Sequence, residues 1–425
     1  MALAGWAAVI VAARRWARSV EASGKEIRLH AAPLIGWDRW RVNGRLTIPV
    51  LVGAFLVVMA PCWAAKLPWR RLLAVTFVAA AGWAVSLAVV DGWSGLTRPT
   101  TLQHDEYLLD VPKVGDPHAF LRGFVDNIDR YANHVRSHPP GMVLLLWAMD
   151  RVGLGGPRWA ATLFIAGGAA AFPAVLVALR RVGGEAVARR AAPFLILAPA
   201  AIWVATTADA FYAGVGAWAV AAVVLALYRA DRRGDALALA GGIGFGLLVH
   251  LSYGAVLLGL LPVAVAIHRR RVRPLLTAAA GALLVVAAFS AAGFFLLDGI
   301  GATKSVYVLS VARDRPYWLF FVVDWAALAV ALGPALAVAL VRLRGHRAWI
   351  LVGAALLACM AAALSGAFKG EVERIWLPFT VWILAAGAAL WPGRLASRAG
   401  WSTERWLALQ AGFATLVQVA IYTRW

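Results

Sequence analysis

The sequence predicts an all-α, polytopic transmembrane bundle of about 12–13 helices. Of its 425 residues, 62% are hydrophobic and only 15% are charged, a balance that excludes an ordinary soluble domain. Apolar runs long enough to cross a ~30 Å hydrocarbon core alternate with short arginine clusters. The net charge of +20 therefore reads as a set of topology signals, and no nucleic-acid partner is expected. Cys62 and Cys359 both lie in apolar runs, which provides neither a disulfide framework nor a thiolate metal site.

The apolar run from Ala2 to Ala13 has no basic region ahead of it and no cleavage site, so a removable signal peptide is not expected. Residues 1–70 read as a membrane-associated or transmembrane extension. Residues 71–425 read as the main transmembrane domain, with an outer loop over 92–138 carrying juxtamembrane helices. Basic clusters follow at Lys66 to Arg71, Arg180 to Arg190, Arg229 to Arg233, Arg269 to Arg273, Arg342 to Arg347 and Arg394 to Arg405. If all of them face the cytoplasm, each stretch between them crosses the membrane an even number of times.

The lengths agree with this parity. A single helix over Ala191 to Tyr228 would be about 57 Å long, so two helices are expected, turning near Thr206-Thr207-Ala208-Asp209. Ala236 to His268 reads as a hairpin turning at His250-Leu-Ser-Tyr253. Pro274 to Leu297 and Tyr317 to Val341 flank a polar loop, as do Ala348 to Phe368 and Ile375 to Trp391. One segment breaks the pattern: if Ile48 to Ala64 crosses, the basic stretch from Arg14 to Arg45 lies outside. Either the first segment is interfacial or the start is atypical.

Parity assigns Asp105, Glu106, Asp110, His134, His138, Asp209, His250, Asp298, Arg313, Asp314, Arg315, Lys369, Glu371, Glu373 and Arg374 to the outer face. The loop from Asp91 to His138 holds seven acids against five bases, the reverse of the inner loops. Pro139-Pro140 suits the first turn of a helix running to Val152, and holds His138 just ahead of it. The free N–H groups there favour an anionic ligand. Taken alone, His138-Pro139-Pro140-Gly141 is equally a stiff loop-to-helix junction.

Four short stretches resemble the GT-C superfamily of integral membrane glycosyltransferases, which includes protein O-mannosyltransferases and lipid A aminoarabinose transferases. They are His104-Asp105-Glu106-Tyr107, His138-Pro139-Pro140, Gly156-Pro157-Arg158-Trp159 and Thr207-Ala208-Asp209. The likeness in layout runs from roughly Leu72 to Trp391. The stretch from Asp105 to His138 is longer and more polar than the family pattern, and the two N-terminal segments lie outside it. The resemblance implies a catalytic acid in the first outer loop, later outer loops that bind a lipid-linked phosphate, and a polyprenyl-phosphate sugar as donor.

Such a transfer needs a base for the acceptor hydroxyl, and Asp105 is the first candidate, with Glu106 second. Cations near the membrane surface stabilise the leaving phosphate, which points to Arg374, Lys369, Arg313 and Arg315. Arg374 next to Ile-Trp-Leu-Pro also suits an interfacial anchor. His138, His250, Tyr253 and Asp209 complete the candidate substrate-binding set, although His250 reads equally as a packing residue and Asp209 as a helix cap. Asp324, inside a helix, requires a polar cavity or a partner. The outer acids and histidines are compatible with a hard divalent cation, but no spacing specifies a metal site.

The expected function is an inverting hexosyl or pentosyl transfer from a polyprenyl-phosphate donor on the extracytoplasmic face of the cell membrane. The acceptor would be a cell-envelope glycan, lipid or protein. The rivals are a multi-pass transporter or lipid flippase, and an inactive protein with the same fold. A transporter should place ionisable residues at the membrane midplane on broken helices, whereas here they gather at outer turns.

Overall fold

The computed structural model describes residues 1–101, 105–391 and 401–423. His104 of the first resemblance stretch and the start of the basic cluster from Arg394 lie outside the described residues. The N-terminal α1 (Ala2–Ala22) leads through an irregular segment to β1 (Trp37–Asp38), then to α2 (Thr47–Lys66) and α3 (Trp69–Ala88). The outer loop contains α4 (Pro117–Gly123) and α5 (Asn133–Arg136), and the double proline opens α6 (Gly141–Arg151). After Gly156, Pro157 occupies the first turn of α7 (Pro157–Gly183), where its missing N–H has no helical partner to lose.

Two helices do fill the stretch after the Arg180 cluster. They are α8 (Glu185–Ile196), extended by the short α9 (Ala201–Val204), and α10 (Ala208–Leu227). Next come α11 (Arg232–Val249), capped by the Asp231 carboxylate on the Gly234 N–H, and α12 (Leu260–Arg269). The turn at His250 to Tyr253 joins them. Then follow α13 (Arg273–Ala291), α14 (Leu296–Val308), α15 (Val311–Asp314), α16 (Tyr317–Leu332), α17 (Pro334–Arg342) and α18 (Trp349–Ser365). The chain ends with α19 (Val372–Ile375), α20 (Leu377–Ile383), α21 (Thr403–Ala420) and β2 (Ile421–Tyr422), which pairs antiparallel with β1.

Five helices among the described residues are long and apolar enough to cross a membrane, and a bent pair makes a sixth. Shorter apolar helices cover Tyr253–Arg269, Trp349–Ser365 and Leu377–Leu390. The bent pair corrects one expectation. Tyr317 to Val341 reads as a single crossing, but Gly333 (φ 80°) breaks it into α16 and α17 at 94°. The freed backbone groups at the break are satisfied by Gln410 of α21. Its Oε1 accepts from the Ala335 N–H at 3.1 Å and its Nε2 donates to Leu332 O at 2.7 Å.

Small residues set the packing of the bundle. α10 lies between α7 and α11, and α11 packs on α13. A Cβ on Gly214 would collide with the backbone of Gly167, and one on Gly242 with that of Ala278. Backbone approach this close is how helices associate where lipid removes the hydrophobic drive. Trp83, Trp203, Trp376 and Trp382 fill the interior.

The basic N-terminal stretch sits at the same end as the outer loop, and its charges are used internally. Arg14 pairs with Asp38, and Arg41 pairs with Asp91 at 2.5 Å. Arg41 also donates to the carbonyls of Gln418 and Ile421. These arginines bind carboxylates and carbonyls of the chain itself.

Candidate functional site

The site begins at α10, whose first turn carries Asp209, where a carboxylate favours the positive helix end. Opposite it, Gly370 (φ 91°) and Glu371 (φ 62°) make two successive left-handed residues that turn the chain into α19. Arg374 lies one turn later, i+3 from Glu371. Its Nη1 donates to Asp209 Oδ2 at 2.7 Å and its Nη2 pairs with Glu371. Nη2 also lies 3.2 Å from His134 Nε2. The other imidazole nitrogen, Nδ1, is 3.3 Å from Glu106 Oε1. One guanidinium thus joins α10, the turn before α19 and the first outer loop.

The charges explain how these groups titrate. Burial alone would lower the His134 pKa, but Glu106, by charge and hydrogen bond, together with Glu371 raises it above the ordinary imidazole value. Burial would raise the Glu371 carboxyl, yet Arg374, then His134 and Arg315, hold it below the usual range. Burial lowers His138 to about 4, with the charges of His134 and Arg374 adding to the effect. His138 is therefore neutral at neutral pH. Its Nδ1 faces His134 O at 2.9 Å, and its ring sits between Tyr107 and Tyr212, whose hydroxyls bond at 3.0 Å.

The sequence candidates divide accordingly. Glu106, Asp209 and Arg374 are joined directly or through His134, and His138 lines the same cluster. Asp105 is one step removed, half-buried, with its Oδ1 accepting from the Asn133 amide at 2.5 Å. Arg315 and Lys369 are committed to carbonyls: Arg315 to those of Ile27 and Lys369, Lys369 to those of Arg313 and Arg315. The Arg313 side chain is exposed.

His250 stacks on Phe289 with ring centroids 3.9 Å apart and bonds to Gly246 O, away from Arg374. Tyr253 packs against Gly299 of α14. The N–H that starts α6 is not free for an anion, because Gly141 donates it to His250 O at 2.9 Å. That contact requires glycine, since a Cβ would collide with the same oxygen.

Sequence reasoning passed over Glu371, His134 and Asn133 as site residues. The i,i+3 spacing of Glu371 and Arg374 was a legible signal for the first. Asp324 of α16 finds its partner in the Gly370 N–H at 2.9 Å. Among the described residues no group of three or more His, Cys, Asp or Glu is arranged to hold a metal ion. An apolar groove of about 500 Å³ lies along α7, α10 and α11, but it includes none of the site residues.

The fold and site define an integral membrane helix bundle with a buried ionisable cluster at one end. No family model and no curated protein matches the chain. Among solved structures it is similar to ArnT from Cupriavidus metallidurans in the apo state, at 16% identity, over 73% of this chain and 60% of that one, with a TM-score of 0.45. It is also similar to the Archaeoglobus fulgidus oligosaccharyltransferase tethered with an acceptor peptide, at 16% identity over 84% and 55% of the two chains, TM-score 0.42. Archaeal oligosaccharyltransferase AglB from the same organism, in complex with an inhibitory peptide and a dolichol-phosphate, matches at 15% identity over 77% and 50%, TM-score 0.40. The chain spans about half to three fifths of the length of these proteins.

Proposed function

We propose that the protein is a membrane glycosyltransferase that moves a sugar from a polyprenyl-phosphate donor to a hydroxyl acceptor at the outer membrane surface. The observation that carries this reading is the linkage Glu106–His134–Arg374–Asp209, in which the first outer loop, α10 and α19 meet. It combines carboxylates with the Arg374 guanidinium and an imidazole at one end of an apolar bundle. These are the parts that such a transfer requires, and the sequence resemblance assigns the acid to the same loop.

In the proposed step Asp105 accepts the proton of the acceptor hydroxyl. The acceptor oxygen bonds to the anomeric carbon as the bond from that carbon to the phosphate oxygen breaks, with inversion. The polyprenyl phosphate leaves carrying the electron pair, and the Arg374 guanidinium stabilises its charge. Glu106 supports this by holding His134 Nδ1 at 3.3 Å, which turns Nε2 toward the Arg374 guanidinium.

A transporter has one observation in its favour, the broken α16–α17 pair with Asp324 inside it. That break, however, is closed by Gln410, and Asp324 is bonded to Gly370. Both polar features are thus bonded within the chain.

The test is mass spectrometry of lipid-linked sugars and envelope glycans in a deletion strain and its complemented parent. An envelope component lacking one sugar, with the lipid-linked precursor accumulating, is the expected result. Unchanged glycans and precursors would overturn the assignment.

A further inference from the structure

Arg315 lies at the start of α16, outside the ion-pair cluster, yet it reaches two distant segments. Its Nε donates to Ile27 O at 3.2 Å, and its Nη1 donates to Lys369 O. The exchange is reciprocal, because Lys369 Nζ donates to Arg315 O at 2.9 Å. The next residue, Gly370, gives its N–H to Asp324. A Cβ there would lie 3.0 Å from Ile35 and 3.1 Å from Arg315 Nη1.

The N-terminal segment is therefore built into the back of the Lys369–Glu371 turn. It is itself well seated: Ile27, Leu29 and Ala32 are buried with Leu319, Phe320 and Val323 of α16. The turn needs this support. Gly370 adopts its positive φ freely, but the positive φ of the non-glycine Glu371 is strained backbone that surrounding contacts must hold. What the turn aims is the Glu371–Arg374 pair and, through it, the bonds to Asp209 and His134.

We infer that Arg315 is a positioning residue that ties the N-terminal segment to the Gly370–Glu371 turn and so orients Arg374 in the site, rather than a ligand for the donor phosphate. Its role in transfer rests on the function proposed above. The sequence reading placed Arg315 among the phosphate-binding groups, so the two assignments compete directly. Bidentate donation to carbonyls of two segments uses the guanidinium fork as well as its charge, so lysine cannot replace it.

The experiment uses the full chain in lipid nanodiscs and compares the unaltered protein with Arg315→Ala and Arg315→Lys. Three quantities are read: amide hydrogen exchange in the peptide covering 366–376, affinity for a short polyprenyl phosphate, and kcat for sugar transfer. Both substitutions are expected to speed exchange in that peptide about tenfold. They should lower kcat about tenfold or more and weaken donor affinity along with the faster exchange, because Arg374 is the group displaced. Weakened binding with unchanged exchange, or full rescue by lysine, would overturn the positioning role. If the unaltered protein neither binds the lipid phosphate nor transfers sugar, the proposed function fails, and the exchange measurement still decides what Arg315 does.

Discussion

Arg374 and Asp209 form an ion pair of 2.7 Å in which the side chains are 6% and 5% exposed. The partners are 165 residues apart in the chain, so the bond closes the end of α10 onto the turn before α19. Removing Asp209 takes away one of the two acidic partners of the buried Arg374 and leaves Glu371 as the other. Asp209→Ala should therefore lower stability by about 1.5–3 kcal/mol, measured by denaturation in detergent. A loss below about 1 kcal/mol would mean that solvent already screens the pair.

Substitutions of Arg374 separate binding from anchoring. Arg374→Ala should weaken donor use more than Arg374→Lys, because alanine loses the charge while lysine loses only the fork. Lysine should still fall short of arginine, since the native fork reaches Asp209, Glu371 and His134 together. Equal donor affinity in all three proteins, at equal expression, would leave Arg374 as an interfacial anchor.

The buried Glu373 gives a pH-dependent stability with a definite sign. Its carboxyl is raised to about 7 by burial, with the Glu371 charge adding to the effect. Neither oxygen makes a well-formed hydrogen bond among the described residues, and the backbone N–H groups of Glu373 and Ile35 offset the burial only in part. A raised folded-state value means that ionisation opposes folding. The cost is absent below the ordinary value of 4.5 and fully developed above about 7. Glu373→Gln should thus stabilise the protein by about 3 kcal/mol near pH 8 and change little near pH 4.5. Unfolding midpoints across that range check this, and a pH-independent difference would contradict it.

Asp105→Asn should reduce turnover by about 100-fold to 10,000-fold while donor affinity is retained. Asparagine keeps the shape and can still accept from Asn133, but it cannot take the acceptor proton. Glu106→Gln should be milder and should also lower the His134 pKa, because the Glu106 charge and hydrogen bond oppose the effect of burial there. Single-turnover kinetics with separate donor-binding measurements distinguish the two. The reverse order of severity would exchange their roles.

Topology has a direct check in a Cys62→Ala background. Cysteines at the exposed positions Ser137 and Asp298 should react with an impermeant thiol reagent in intact cells, while those at Gly184 and Arg233 should not. Labelling at Gly184 would reverse the assigned faces.

Hydropathy and charge alone determined the helical class, the turn at Thr206 to Asp209, the start of α6 and the grouping of the ionisable residues at one end. Those features are local, because the cost of burying a peptide group or a charge in lipid is met residue by residue along the chain. Only the tertiary structure decided which outer groups meet. Glu106, Asp209 and Arg374 come from three distant segments, and nothing in their spacing states that His134 joins the first to the last. The same holds for Arg315 and Lys369, whose charges read as phosphate ligands until the carbonyls of Ile27, Arg313 and Lys369 come within hydrogen-bond reach. Gln410 closing the break at Gly333 follows the same logic. A polar side chain's role depends on the partner that folding brings to it, and these partners lie up to 288 residues away.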